Sequence, residues 1–409
     1  MIFAPERTED APRLLTPAAL DRLLALLHED GREVQGPVAR DGAVVLAPLR
    51  SAADLPAGLT DEQSPGRYRL VPSGSPALFA FNAGPSPFKR AFLLPEVTLV
   101  RLRRSRDSVE VLAGPPPPRK LALLGARACD IQALAVQDRV LAEGPYPDAD
   151  YTARRADVLV IAVACEKAGG TCFCASMGTG PEVTTGFDLS LTELVGPPHR
   201  FLVDIGSPAG RSLADRLDLP PAADDDVRDA TALLARTRAT MGRTLDTTDL
   251  AARLQSRPEH PRWDEGASRC LGCTSCTMVC PTCFCTTVTD STDLSGTVAE
   301  RTRRYDSCFS LDFSYVHGGP VRPSLRARYR QWLTHKLSTW HDQFGTSGCV
   351  GCGRCITYCP VAIDITEEAA AIAAPASPAA IDSAAAIDSA AAIDSAASPA
   401  APASRGDRS

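Results

Sequence analysis

Two stretches, RCLGCTSCTMVCPTCFCTTVTD at 269–290 and GCVGCGRCITYCP at 348–360, decide how this 409-residue chain is read. The first carries Cys270, Cys273, Cys276 and Cys280 before Pro281, and the second carries Cys349, Cys352, Cys355 and Cys359 before Pro360. Both match C-x2-C-x2-C-x3-C-P, the spacing with which iron–sulfur proteins hold cubane [4Fe–4S] clusters. A structural zinc site needs four thiolates, usually as two separated pairs, so a triplet with a fourth cysteine before proline argues for a cluster instead. Three thiolates of one tight loop reach three corners of one cube. The fourth lies past the loop, at the start of a helix, and in two-cluster proteins it ligates the other cluster. The spacing therefore pairs Cys270, Cys273 and Cys276 with Cys359, and Cys349, Cys352 and Cys355 with Cys280.

The rest of the composition narrows the class. A net charge of −6 gives no sign of a nucleic-acid or anionic-membrane partner. Arginine supplies nearly all the positive charge, with Lys89, Lys120, Lys167 and Lys336 as the lysines. The opening MIFAPERTEDAPRLL has charges of both signs and no apolar core, so it does not read as a signal peptide. The most apolar run, VLVIAVAC at 158–165, is too short to span a bilayer. A soluble cytoplasmic protein is expected, in which fifteen cysteines serve as ligands rather than disulfides.

Along the chain, Thr16 and Pro17 open a helix running to His28, with Leu20, Leu23, Leu24 and Leu27 on one face. Short strands follow at Val34–Ala39, Ala43–Leu46, Arg69–Val71, Ala77–Phe81, Val97–Leu102 and Ser108–Leu112. Pro115–Pro118 reads as a stiff connector into a βαβ unit: strand Lys120–Leu124, helix Ile131–Leu141, strand Val158–Val163, then strand Phe201–Ile205. Tyr151, Arg154 and Arg155 read as a solvated face. Helices are expected over 209–220 and 224–255, with Pro258 and Pro261 marking the next boundary. The expected class is α+β: a mixed α/β region at 1–114, an α/β sub-domain at 115–257, an α-helical ferredoxin-like dicluster domain at 258–368 and a disordered tail at 369–409. The tail repeats IDSAAA and is too poor in large apolar residues to build a core.

Four further cysteines fall in the α/β sub-domain. Cys129 and Cys165 follow the C-terminal ends of strands, where functional loops gather, and Cys172 and Cys174 sit in the Gly-rich loop GGTCFCASMGTGP. They form a candidate third metal set: a third [4Fe–4S] cluster, a zinc site, or buried thiols without metal. GTGP at 178–181 lacks the full phosphate-binding fingerprint and reads as a turn. Between the two cysteine runs, RYRQWLTHKLSTWHDQFG reads as an amphipathic helix, with Tyr329, Trp332, Leu333, Leu337 and Trp340 inward and Arg328, Arg330 and Lys336 outward. Cys283, Cys285 and Cys308 read as neighbours of the clusters rather than ligands.

LLGARACDIQALAVQDRVL at 123–141, CEKAGGTCFCASMGTGP at 165–181, and the segments around both cysteine runs through DITEE resemble the iron–sulfur subunit shared by cytoplasmic sulfhydrogenases and anaerobic sulfite reductases. The resemblance covers nearly all of the chain except the tail. It implies an electron-transfer subunit beside a flavin- and NAD(P)H-binding subunit and a catalytic hydrogenase or sulfite reductase subunit. One-electron relay suits cubane clusters, which link a two-electron donor to a metal centre. No catalytic constellation emerges, so substrate chemistry is expected elsewhere. The competing classes are a self-contained flavin- or nucleotide-dependent oxidoreductase and a cluster-based redox sensor or scaffold.

Overall fold

The structure is a computed structural model and describes residues 10–374. Its first elements are a short strand, β1 (Arg13–Leu15), and a helix, α1 (Pro17–Glu29). The Thr16 hydroxyl accepts the Ala19 N–H at 3.2 Å, and Pro17 takes the first helical position, where a missing N–H is not needed. Leu20, Leu23, Leu24 and Leu27 are buried, as their spacing requires. Six strands follow: β2 (Glu33–Arg40), β3 (Ala43–Pro48), β4 (Leu59–Ser64), β5 (Arg67–Pro72), β6 (Glu96–Arg104) and β7 (Val109–Ala113).

The expected strand at Ala77–Phe81 is instead irregular chain, bent at Leu78, Phe79 and Phe81, outside any sheet. The Leu78 and Phe79 N–H groups donate to the Glu193 carboxylate at 2.7 and 2.9 Å, and Arg127 donates to the Phe79 and Phe81 carbonyls at 2.8 and 2.7 Å. Side chains satisfy this backbone, so no strand partner is required.

The next elements are β8 (Leu121–Ala126), α2 (Ala128–Leu141), α3 (Ala149–Arg155), β9 (Val158–Val163), β10 (Leu189–Leu194) and β11 (Arg200–Ile205). One seven-stranded sheet has the order β1-β11-β10-β9-β8-β2-β3. Its centre, β10-β9-β8-β2, is parallel, and antiparallel strands close both edges. Leu121 and Leu123 join the core on one face with Ile131 and Leu134, while Ala122 and Leu124 join the α1 leucines on the other. Burial on both faces is what apolar runs such as LALLGA demand. β10 escaped sequence reading because Ser190, Thr192 and Glu193, all buried, interrupt its apolar pattern.

Helix α3 corrects the expected solvated face. Tyr151, Arg154 and Arg155 are buried; the Tyr151 hydroxyl donates to Asp138 at 2.6 Å, Arg155 pairs with Asp138 at 3.2 Å, and Arg154 pairs with Asp150 at 2.9 Å. The expected helix at 224–255 is two, α5 (Asp224–Ala239) and α6 (Leu250–Gln255), after α4 (Pro208–Arg216). The break brings Gly242 against the Gly-rich loop, where a Cβ would lie 2.3 Å from the Gly170 carbonyl.

In the C-terminal part, α7 (Arg262–Arg269) and α8 (Ser275–Met278) precede a hairpin, β12 (Thr286–Thr292) and β13 (Val298–Tyr305). β13 pairs antiparallel with β6, giving a second sheet of order β12-β13-β6-β7. The segments expected at 1–114 and 115–257 share the large sheet, and the described chain through Ile372 is one compact unit. Pro115–Pro118 thus connects two sheets.

Helix α9 (Leu325–Thr334), a π-helical turn at His335–Thr339, α10 (Trp340–Phe344) and α11 (Arg354–Thr357) complete the dicluster domain with α12 (Ile365–Ala373). Helix continues past the expected tail boundary at 369, because Ala369 and Ile372 are buried and Glu368 pairs with Arg262 at 2.8 Å. The rest of the expected disordered tail, from 375, lies outside the described residues. Among the described residues no helix is long and apolar enough to cross a membrane.

Candidate iron–sulfur centres

The two cysteine loops share one backbone course. Gly272 and Gly351, each before the second cysteine, have φ of 62° and 63°; Thr274 and Gly353, each after it, have φ of 66° and 72°. These left-handed residues curl the chain so that three cysteines face one side, and a short helix, α8 or α11, starts directly afterwards. The Gly272 N–H donates to Cys270 Sγ at 3.3 Å and the Gly351 N–H to Cys349 Sγ at 3.5 Å. The fourth cysteines are held in a related way: Ile363 N–H donates to Cys359 Sγ at 3.3 Å, and the Thr282 hydroxyl lies 3.2 Å from Cys280 Sγ.

Each loop closes a cavity with a cysteine from the other run. Cys270, Cys273, Cys276 and Cys359 border the first, with Cys355, Phe309, Tyr329 and Trp332. Cys349, Cys352, Cys355 and Cys280 border the second, with Cys276, Trp332 and Lys336. Burial, then the neighbouring thiols of Cys270, Cys359 and Cys280, pushes the Cys276 thiol well up. The Cys349 thiol is pushed up to about 12, chiefly by burial. Thiols gathered away from water resist ionisation individually, and a positively charged metal group would relieve that cost for the set. The donor chemistry, four sulfurs with N–H support at each cavity, fits a cubane cluster.

The third set comes together because β8 and β9 are parallel neighbours, which places their C-terminal ends side by side. Cys129 begins α2 just past β8, and Cys165 follows β9 by two residues. Cys172 and Cys174 return through the loop behind them. The Cys172 thiol is pushed well up by burial and then by Cys165 and Cys174; Cys174, pushed up to about 12, feels burial, then Cys165 and Cys352. Cys172 Sγ lies 3.8 Å from the Cys352 carbonyl oxygen, so this set abuts the second loop. Among the described residues no three His, Cys, Asp or Glu side chains are grouped as ligands of a single metal ion.

The N-terminal region also grips the second loop directly. Phe173 N–H donates to the Gly351 carbonyl at 2.8 Å, the Thr179 hydroxyl to the Val350 carbonyl at 2.7 Å, and Arg354 pairs with Asp130 at 2.7 Å, both buried. The turn expected at GTGP is one of these holdfasts.

Cys283 lies beside Cys280, and Cys285 lies beside Cys308. The Cys283 thiol hydrogen-bonds Cys280, which is held well below the ordinary thiol range by that bond and by Lys336 and Lys89. Cys285, hydrogen-bonded to Cys308 and facing the same lysines, is lowered to about 7. Lys89 Nζ donates to the Cys283 carbonyl at 2.8 Å, and Lys336 Nζ to the Thr282 hydroxyl at 2.7 Å. Sequence reading put Lys336 on an outward helix face; it is buried. Lysine scarcity was the available signal, since two of four lysines sit against one stretch, CPTCFC. His335 stacks on Trp340 with ring centroids 4.7 Å apart.

Comparison with known proteins agrees with this geometry. Residues 269–363 match the family model described as a 4Fe-4S dicluster domain. Over 281 residues the chain is 32% identical to the protein named Sulfhydrogenase 2 subunit beta of Pyrococcus furiosus, an alignment that takes in 68% of this chain and 80% of that one. No solved structure matches it. With two cysteine-walled cavities inside the matched domain and this extent of shared sequence, the chain belongs to the sulfhydrogenase β-subunit family.

Proposed function

We propose that this chain is a cytoplasmic electron-transfer subunit that passes single electrons between a flavin- and NAD(P)H-binding partner and a catalytic subunit of hydrogenase or sulfite reductase type. The observation that carries this reading is contiguity. Cys276 and Cys355 border both cavities, and Cys352 borders the second while facing Cys129 and Cys174 of the third set. In the proposed assignment Cys270, Cys273, Cys276 and Cys359 hold one [4Fe–4S] cluster, Cys349, Cys352, Cys355 and Cys280 a second, and Cys129, Cys165, Cys172 and Cys174 a third.

Cubane clusters supply one-electron exchange with little rearrangement. The chain's own residues hold the sulfurs, exclude water and donate N–H groups that tune potential. Trp332 walls both cavities, which keeps the space between them apolar and dry.

Anaerobic purification of the chain with its native partners, followed by iron analysis and electron paramagnetic resonance, tests the reading. About twelve iron atoms per chain are expected with all three sets filled, and about eight with the two ferredoxin-type sets alone. Zinc without iron would overturn it, as would clusters that a reduced flavin partner cannot reduce.

A further inference from the structure

We infer that Lys336 is a positioning residue that raises the reduction potential of the centre held by Cys349, Cys352, Cys355 and Cys280, making it the electron-collecting member of the ferredoxin-type pair. This rests on the assignment of a cluster to that cavity.

Lys336 is 4% exposed, and its side chain is one wall of the second cavity. Among the described residues no carboxylate forms an ion pair with it. Its ammonium donates to the Thr282 hydroxyl at 2.7 Å and lies 4.8 Å from the Trp340 ring centroid. The same hydroxyl donates to the Gly348 carbonyl at 2.7 Å and lies 3.2 Å from Cys280 Sγ. An ammonium taken out of water without a counter-ion is expensive, so the compensating negative charge has to come from what the cavity holds.

The backbone also points to construction around this residue. Lys336 lies in the π-helical turn, which interrupts the regular ladder and leaves its carbonyl free to accept the Gly348 N–H at 2.9 Å and the Ser347 hydroxyl at 3.2 Å. Ser347 Oγ in turn accepts the Cys349 N–H at 3.1 Å. One residue therefore fixes the start of the second loop by its backbone and presents a cation by its side chain. Single π-turns within helices often mark functional positions.

The first cavity has no counterpart. Its lining contains cysteines, glycine, hydroxyl residues and apolar side chains, with no lysine or arginine. Adding an electron makes a cluster more negative, and a fixed cation nearby in a low-dielectric wall stabilises that reduced form. Two loops of equal spacing and equal backbone are thereby made unequal.

The test is potentiometric titration of the anaerobically purified full chain, followed by electron paramagnetic resonance, with Lys336→Gln and Lys336→Arg beside the unmodified protein. Iron content is measured first. Absence of cubane signals in the unmodified protein would refute the cluster assignment itself. With clusters present, Lys336→Gln should shift one of the two ferredoxin-type signals to lower potential and leave the other in place. The expected size is about a tenfold fall in the reduced-to-oxidised ratio at fixed potential, equal to about 59 mV for a one-electron couple. Lys336→Arg should keep the original value. Loss of one cluster in Lys336→Gln with retention in Lys336→Arg would equally support a charge requirement. Unchanged potentials in Lys336→Gln, or equal cluster loss in both variants, would overturn the inference.

Discussion

The two cysteine loops repeat each other in spacing and backbone, yet they live in different surroundings. In the first, Cys273 is exposed, Leu271 is 64% exposed, and the cavity walls are neutral. The second is enclosed by the N-terminal region, anchored by a buried Arg354–Asp130 pair and faced by a buried ammonium. Identical ligand patterns therefore do not imply identical centres. In the proposed relay, the outer loop serves exchange with a partner and the inner one passes electrons on towards Cys129, Cys172 and Cys174.

The crossed pairing is the sharpest way to break this comparison. Cys359→Ala should remove the cluster of the outer loop and Cys280→Ala that of the inner loop, each losing about four iron atoms per chain. Iron analysis with electron paramagnetic resonance checks it; loss of the inner signal in Cys359→Ala would uncross the pair.

Arg354→Met should destabilise the chain by about 3–5 kcal/mol, because it leaves Asp130 buried and unpaired. The corresponding position in the outer loop, Ser275, is half-buried, and Ser275→Ala should change stability by less than about 0.5 kcal/mol. Denaturant unfolding under anaerobic conditions measures both.

Gly351→Ala and Gly272→Ala make a smaller but cleaner contrast. Both place alanine at a left-handed φ, at about 1–2 kcal/mol. At Gly351 the new Cβ would also lie 2.6 Å from the Phe173 carbonyl oxygen, whereas at Gly272 it would meet only Leu325 Cδ1 at 3.3 Å. Gly351→Ala should thus lose about 1–3 kcal/mol more, measured in the same way.

A pH dependence is also expected near the inner loop. Burial first, and then the Lys336 charge, lowers His335 to about 4, below its ordinary value near 6.5. The unfolded chain therefore binds this proton first. Stability is complete above the unfolded value and falls as pH drops through the window from 6.5 to about 4. Thermal unfolding across that range should show the slope, and His335→Gln should flatten it.

Much of the scaffold was legible because its signals are local. Thr16-Pro17 with leucines at helical spacing marks α1, and the apolar runs on either side of an amphipathic helix mark β8 and β9 as strands of a βαβ unit. What escaped was non-local. Buried Ser190, Thr192 and Glu193 hid β10, whose Glu193 is occupied with the backbone of Leu78 and Phe79. The β12–β13 hairpin was hidden because its partner, β6, lies about two hundred residues earlier. Tyr151 and Arg155 looked solvated because Asp138, which receives both, is on another helix.

Sequence alone pointed to the candidate ligands, eight cysteines at cubane spacing with two more after strand ends and two in the Gly-rich loop, and to the family to which the order of motifs belongs. Spacing can do this because a tight loop's sulfur positions depend on a dozen consecutive residues. Only the tertiary structure decided which loop is enclosed, that Cys352 abuts the third set, and that Lys336 turns inward. Those features depend on solvent exclusion and on charges brought close by packing, and neither is encoded within any single stretch of the chain.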